Sequence, residues 1–172
     1  CRFLTRKPVM YVANVGEDSL PSLDSPAVAA IRSFALAEGS MAIVVCGRIE
    51  AEIAQLDPDE AVEFTREMGL AEGALRRLIR ECYQRLGLIT FFTVGDEEVH
   101  GWTIARGTKA PDAGGAIHSD FRERFIRVEV TAFADFLRAG SRHTARDQGH
   151  LRIEGRDYEV QDGDILFFRI GH

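Results

Sequence analysis

"LIRECYQRLGLITFFTVG", Leu78 to Gly95, changes its pattern in the middle. Up to Leu86 the apolar residues are spaced as on a helix, and from Leu88 they run together with threonine and phenylalanine as in a strand. The change falls near Gly87 and divides the chain in two. Upstream, strand and helix alternate: "VMYVANV", a helix from about Pro26 to Glu38, "MAIVVC", then helices near Pro58–Met68 and Ala71–Leu86. Downstream, β-branched and aromatic residues dominate in "LITFFTVG", "VHGWTIARG", "FIRVEVTAF" and "DILFFRI", with one helix near Pro111–Arg122. The expected fold class is therefore α/β for residues 1–87 and α+β for residues 88–172.

At 172 residues, 45% hydrophobic and 28% charged, the chain can bury one good core or two small ones, and its composition is not that of a disordered segment. Residues 1–87 carry ten basic and thirteen acidic side chains and residues 88–172 carry eleven and fourteen, so each part is net −3. A net charge of −6 excludes a general polyanion binder, and no DNA partner is expected. No apolar run approaches the roughly 20 residues that span a bilayer. The N-terminus also lacks a charged-then-apolar signal pattern. A cytoplasmic protein without a membrane partner is expected. The chain opens on Cys1 rather than Met, in residues that lead straight into a strand, and a longer parent polypeptide is expected. Cys1, Cys46 and Cys82 form no C-x-x-C, and an odd, widely spaced set reads as reduced core thiols rather than a disulfide framework or a zinc site.

Two short apolar strands joined through an amphipathic helix read as a βαβ unit of a parallel sheet covered on both faces. Ligands of such sheets bind at the carboxyl ends of the strands. Asn14 and Glu17 stand at the end of the first strand, and Cys46-Gly47-Arg48-Ile49-Glu50 at the end of the second. The alternative for Asn14 is a plain turn cap, common for Asn after a strand. For Arg48 and Glu50, surface or structural roles stand beside ligand contact.

"KPVMYVANVGED", then "IVVCGRIEAEIAQL", then "LIRECYQRLGLITFFTVGDEEVHGWTIARGTKAPDAGGAIHSDFRERFIRVEV" resemble the C-terminal half of the YchF or Obg-like ATPase family of translation-factor-class P-loop NTPases. The resemblance covers essentially the whole chain. It implies the C-terminal part of a G-type nucleotide-binding domain over residues 1–87 and a ubiquitin-like β-grasp domain of the TGS kind over residues 88–172. In related GTPases the loop after this strand is N-K-x-D, whose Asn holds the purine edge and whose Asp accepts from the guanine N1–H and 2-amino group. Here it is Asn14-Val15-Gly16-Glu17, which implies the family's N-x-x-E variant, accepting ATP in preference to GTP. A longer carboxylate on an altered loop would not meet the guanine donors, and a missing partner in a buried site is heavily penalised. The resemblance further implies that Val15 belongs to this loop and that Cys46 and Gly47 back the base from its other side. It also implies a ribosome partner, and ATP or GTP with magnesium in the full-length protein. No G-x-x-x-x-G-K-[ST] occurs, and "AGGAIHSD" has no Lys-Ser/Thr after its glycines. The phosphate loop and magnesium ligands of the family precede these residues, so no catalytic residue and no metal ligand is assigned to this stretch.

In the second part, two strands, a helix, a third strand and a late final strand give the β-grasp order. Ala and Gly along "APDAGGAIH" would let the helix sit close on the sheet, with Ile117 and Phe121 on its buried face. "VQDGDILFFRI" resembles the module's final hairpin, with Asp162-Gly163 as its turn and Ile165, Phe167 and Ile170 as its inward face. His118 beside Asp120 reads as a helix-end pair rather than an acid–base couple, since no nucleophile accompanies it, and Trp102 reads as core rather than a stacking platform. Arg169 to His172 lack the Gly-Gly end of sulfur-carrier relatives, and that class is not expected. Arg138, Arg142 and Arg146, four apart in an acidic protein, would lie along one helix face unless Gly140 interrupts it. They are candidates for RNA or ribosome contact, against an ordinary solvated face paired to Asp135 and Asp147. The two functional readings are part of a ribosome-associated ATPase and, alternatively, a non-catalytic TGS-type module that binds RNA or protein.

Overall fold

Strand β1, Met10–Asn14, pairs in parallel with β2, Met41–Val45, in a register that sets Met10 against Met41 and Asn14 against Val45. This computed structural model describes residues 3–20, 22–95 and 98–171, which divide into two compact units, Cys1–Leu86 and Gly87–His172. In the first unit, helix α1, Pro26–Ala37, makes the crossover between the two strands. Its start is defined by Pro26 in the first turn, where no N–H is needed, and by the Ser25 hydroxyl, which accepts from the Val28 N–H at 3.2 Å. Val28 and Ile31 carry the helix onto Ala13 and Val44 of the strands, forming a small core.

Three helices follow: α2, Gly47–Ile53; α3, Pro58–Glu67; and α4, Ala74–Arg85. The loop expected at "CGRIE" is thus helical from Gly47 onward, with Cys46 as its N-cap residue and Ile49 buried. Cys46 is buried and Cys82 half-buried, both as free thiols, while Cys1 lies outside the described residues.

The second unit is built on β3, Leu88–Val94, and β4, Val99–Ala105, followed by α5, Ala110–Ile117, and α6, Ser119–Glu123. Then come β5, Phe125–Ala132; α7, Phe133–Ala139; α8, Arg142–Asp147; β6, Arg152–Glu154; and β7, Asp164–Ile170. The sheet order is β4-β3-β7-β5-β6, antiparallel except for the parallel neighbours β3 and β7. Ile89 and Phe91 of β3, Val128 and Val130 of β5, and Leu166 of β7 form one core with Ala110 and Ala113 of α5. The small residues of α5 serve that packing: a Cβ at Gly114 would come 3.0 Å from the Phe121 Cβ and 3.1 Å from the Phe168 ring.

Three expectations need correction here. The single helix near Pro111–Arg122 is two, because His118 is extended (φ −162°, ψ 150°) and its Nδ1 accepts from the Asp120 N–H at 3.2 Å, capping α6. Phe121 still reaches the core region, with its ring 5.7 Å from that of Phe168. The inward face of the last strand is Leu166 and Phe168, not Ile165 and Phe167. Successive side chains alternate, so Ile165 is buried on the opposite face, in the same strand that α7 packs against. Asp162-Gly163 is a turn but not a hairpin of two strands, since β6 pairs with β5. Gly163 takes φ +80° and donates its N–H to the Thr90 carbonyl at 2.8 Å, while Asp162 accepts from the Thr90 N–H at 2.9 Å. Trp102 is half-buried against the core and donates to Thr93 Oγ1 at 2.9 Å. Among the described residues no helix is long and apolar enough to cross a membrane.

Candidate functional site

Asn14 is the last residue of β1, and its Oδ1 accepts from the Gly47 N–H at 2.9 Å, across to the first residue of α2. It does not cap its own turn. The ladder runs one bond further, from the Val15 N–H to the Val45 carbonyl at 2.8 Å, before Gly16 leads into a short 3-10 turn, Glu17–Ser19. Gly47 lies close under the amide, so that a Cβ there would sit 3.2 Å from Asn14 Oδ1 and the amide would have to shift by a few tenths of an ångström. Glu17 Oε1 is 2.8 Å from the Arg48 Nε, and Arg48 also reaches Glu52 at 3.7 Å. Asn14, Val15, Glu17, Asp18, Cys46 and Arg48 line an open cavity of about 340 Å³ at the carboxyl ends of the two strands. The structure therefore brings Asn14, Val15, Glu17, Cys46 and Gly47 to one place. Glu50 goes elsewhere: its carboxylate accepts from the Ala74 N–H at 2.6 Å and the Leu75 N–H at 3.2 Å, capping α4. Arg77 of that helix donates back to the Val44 carbonyl of β2.

In the second unit the three arginines do not share a helix. Gly140, at φ +72°, ends α7, and the Ser141 hydroxyl restarts the chain as α8 by accepting from the Thr144 N–H at 3.1 Å. Arg138 pairs with Asp135 one turn back, while Asp147 faces His143 at 3.5 Å rather than an arginine. Arg142 turns inward, donates to Glu129 and stacks over the Phe167 ring, 4.5 Å from its centroid. Glu129, on β5, is 1% exposed and is met from its other side by Arg169 at 3.3 Å. Burial pushes its carboxyl up, but the hydrogen bonds and charges of Arg142 and Arg169 outweigh that and hold it below the ordinary carboxylate value. Arg146 is exposed on α8. An open cavity of about 590 Å³ is lined by Phe136, Arg142, His143, Arg146, Leu151 and Phe167. Among the described residues no three His, Cys, Asp or Glu side chains are grouped to hold a metal ion.

Residues 88–171 match the family model YchF-GTPase_C, "Protein of unknown function (DUF933)". The second unit carries the YchF-GTPase_C domain. The chain is 48% identical over 168 residues to the ribosome-binding ATPase YchF of Bacillus subtilis, covering 96% of this chain and 46% of that protein. It is 46% identical over 167 residues to the ribosome-binding ATPase YchF of Haemophilus influenzae, covering 97% of this chain and 46% of the relative. The structure of the Schizosaccharomyces pombe YchF GTPase superposes with a TM-score of 0.86 at 30% identity, over 96% of this chain and 44% of that one. The chain thus spans about half the length of the curated relatives it matches.

Within the YchF-GTPase_C domain, sequence reasoning missed Glu129 because "FIRVEVTAF" reads as an alternating strand with a solvent-facing Glu. The signal lay downstream, in the four-residue apolar run "ILFF", Ile165 to Phe168, which marks a strand covered on both faces. In the first unit the cap made by Glu50 carried no local signal, since its partners are 24 and 25 residues away.

Proposed function

We propose that this chain is the C-terminal part of a ribosome-associated, purine-nucleotide-binding ATPase, with Asn14 holding the base and the N-x-x-E loop favouring ATP over GTP. The observation that supports it most is the Asn14–Gly47 bond, which ties the ends of two parallel strands into one cavity wall where a ligand of such a sheet is expected. On this reading Val15 and Cys46, with Gly47 at the start of α2, surround the base, and Glu17 is assigned to its edge. The upstream residues of the full-length protein would supply the phosphate loop and magnesium, whose chemistry is positioning and neutralising the phosphates. The second unit is read as a β-grasp module of the TGS kind, in keeping with the late strand β7 lodged between β3 and β5. The names of the relatives support a ribosome partner, and a cytoplasmic location is proposed with it. Arg138 and Arg146 are the exposed basic side chains for RNA contact, and Arg142 contributes to that face from its anchored position.

Asn14→Ala in the full-length protein should weaken ATP and GTP together, by about tenfold or more if one buried bond is lost. Restoring N-K-x-D over Asn14 to Glu17 should move preference toward GTP. Calorimetric titration with each nucleotide measures both, and unchanged affinities in both variants would remove the base-reading role. A double Arg138→Glu, Arg146→Glu variant, which keeps the Arg142–Glu129 pair that holds the unit together, should lose ribosome co-sedimentation and its salt dependence.

A further inference from the structure

We propose that Arg48 is a specificity-determining positioning residue that sets purine choice by holding Glu17, an inference that rests on the base-reading assignment of Asn14. Asn14, at the end of β1, and Glu17, in the turn after it, stand three apart, and the first two residues of α2 engage them: Gly47 bonds Asn14 at 2.9 Å and Arg48 meets Glu17 at 2.8 Å. The start of α2 therefore fixes both polar groups at once.

The consequence is chemical. Guanine presents two donors, N1–H and the 2-amino group, where adenine presents an acceptor and no 2-amino group. A lone carboxylate beside that edge would select guanine, because hydrogen bonds to a charged acceptor are stronger than neutral ones and an unmet donor is penalised. The Arg48 guanidinium occupies Glu17 instead, with Glu52 as a second acidic neighbour at 3.7 Å. Arg48 itself lines the cavity, so the acceptor is offset inside the site rather than behind it. Its side chain is 76% exposed, so the pair supplies little to the fold, and its position against Glu17 is the feature left to explain.

The test uses the full-length protein and titrates ATP and GTP separately against Arg48→Ala, Arg48→Lys, Asn14→Ala and the double variant Arg48→Ala with Glu17→Ala. Freeing Glu17 by Arg48→Ala should raise GTP affinity relative to ATP by at least about fivefold. Arg48→Lys, which keeps a cation for Glu17, should leave the ratio near that of the unaltered protein. The double variant should lose the gain in GTP preference, since the shift requires the carboxylate. Asn14→Ala separates the two levels of failure. If it weakens both nucleotides while Arg48→Ala leaves the ratio unchanged, or lowers both nucleotides equally, the role of Arg48 is overturned and the base site stands. If Asn14→Ala changes neither affinity, the base site falls and the role of Arg48 with it.

Discussion

Glu17 and Glu129 each sit against an arginine, in two regions that use the same pair of residue types differently. Glu129 lies within a sheet strand, 1% exposed, between Arg142 and Arg169. Glu17 lies in a loop at a cavity mouth, 41% exposed, with the 76%-exposed Arg48. Two arginines around one buried carboxylate tie α8 to the sheet and leave no acceptor free for a ligand. One exposed arginine beside one half-exposed carboxylate leaves both groups able to exchange partners. Ion pairing therefore holds the fold where desolvation has been met by several partners, and contributes little to it where both groups stay in water.

The comparison breaks if the two pairs respond alike to loss of the arginine. Arg142→Ala should destabilise the second unit by about 3 kcal/mol, because Glu129 would stay buried with one partner fewer. Trp102 is the chain's single tryptophan and lies in this unit, so urea denaturation followed by its fluorescence reads the change there. Acid sharpens the same contrast. Since the folded Glu129 carboxyl titrates below its ordinary value of 4.5, its contribution is fully present above that value and is lost as pH falls through the lower folded value. The urea midpoint by Trp102 fluorescence should therefore fall as pH is lowered below about 4.5, and Glu129→Gln, less stable at neutral pH, should show a flatter acid profile. Glu50→Ala should cost the first unit about 1 kcal/mol through the lost cap of α4, seen as a lower thermal midpoint by circular dichroism. Arg48→Ala should change stability least, by under about 0.5 kcal/mol in the same melt, while moving the GTP-to-ATP ratio. A large loss of stability there would place Arg48 with the fold.

How far these roles were legible depends on the distance between partners. That Asn14 and Cys46-Gly47 lie together was readable from sequence, because parallel strands put their carboxyl ends together, a rule that needs only strand order. The break at His118 was half visible: its helix-end role was read, but not that it divides the helix, because an imidazole caps through a ring nitrogen that no usual capping pattern announces. The face of β7 was misread because both of its sides are covered, so Ile165 and Leu166 are both buried and alternation gives no parity. The arginine spacing of four was a true period that the backbone interrupts at Gly140, where a left-handed residue outweighs any side-chain pattern.

The position of β7 has a consequence for how the second unit comes to be made. It follows every other strand of its sheet in the chain, yet lies between β3 and β5, and the Thr90 N–H donates to Asp162, just ahead of β7, across 72 residues. Until β7 has been synthesised and is free to move, β3–β4 and β5–β6 are two separate ribbons with exposed inner edges. Closing such a sheet requires long loops to be brought together before the contacts that stabilise them exist, which slows folding and joins the strands in one cooperative step. A nascent chain stalled before Asp164 would carry two open strand edges, the form most exposed to pairing with the wrong neighbour.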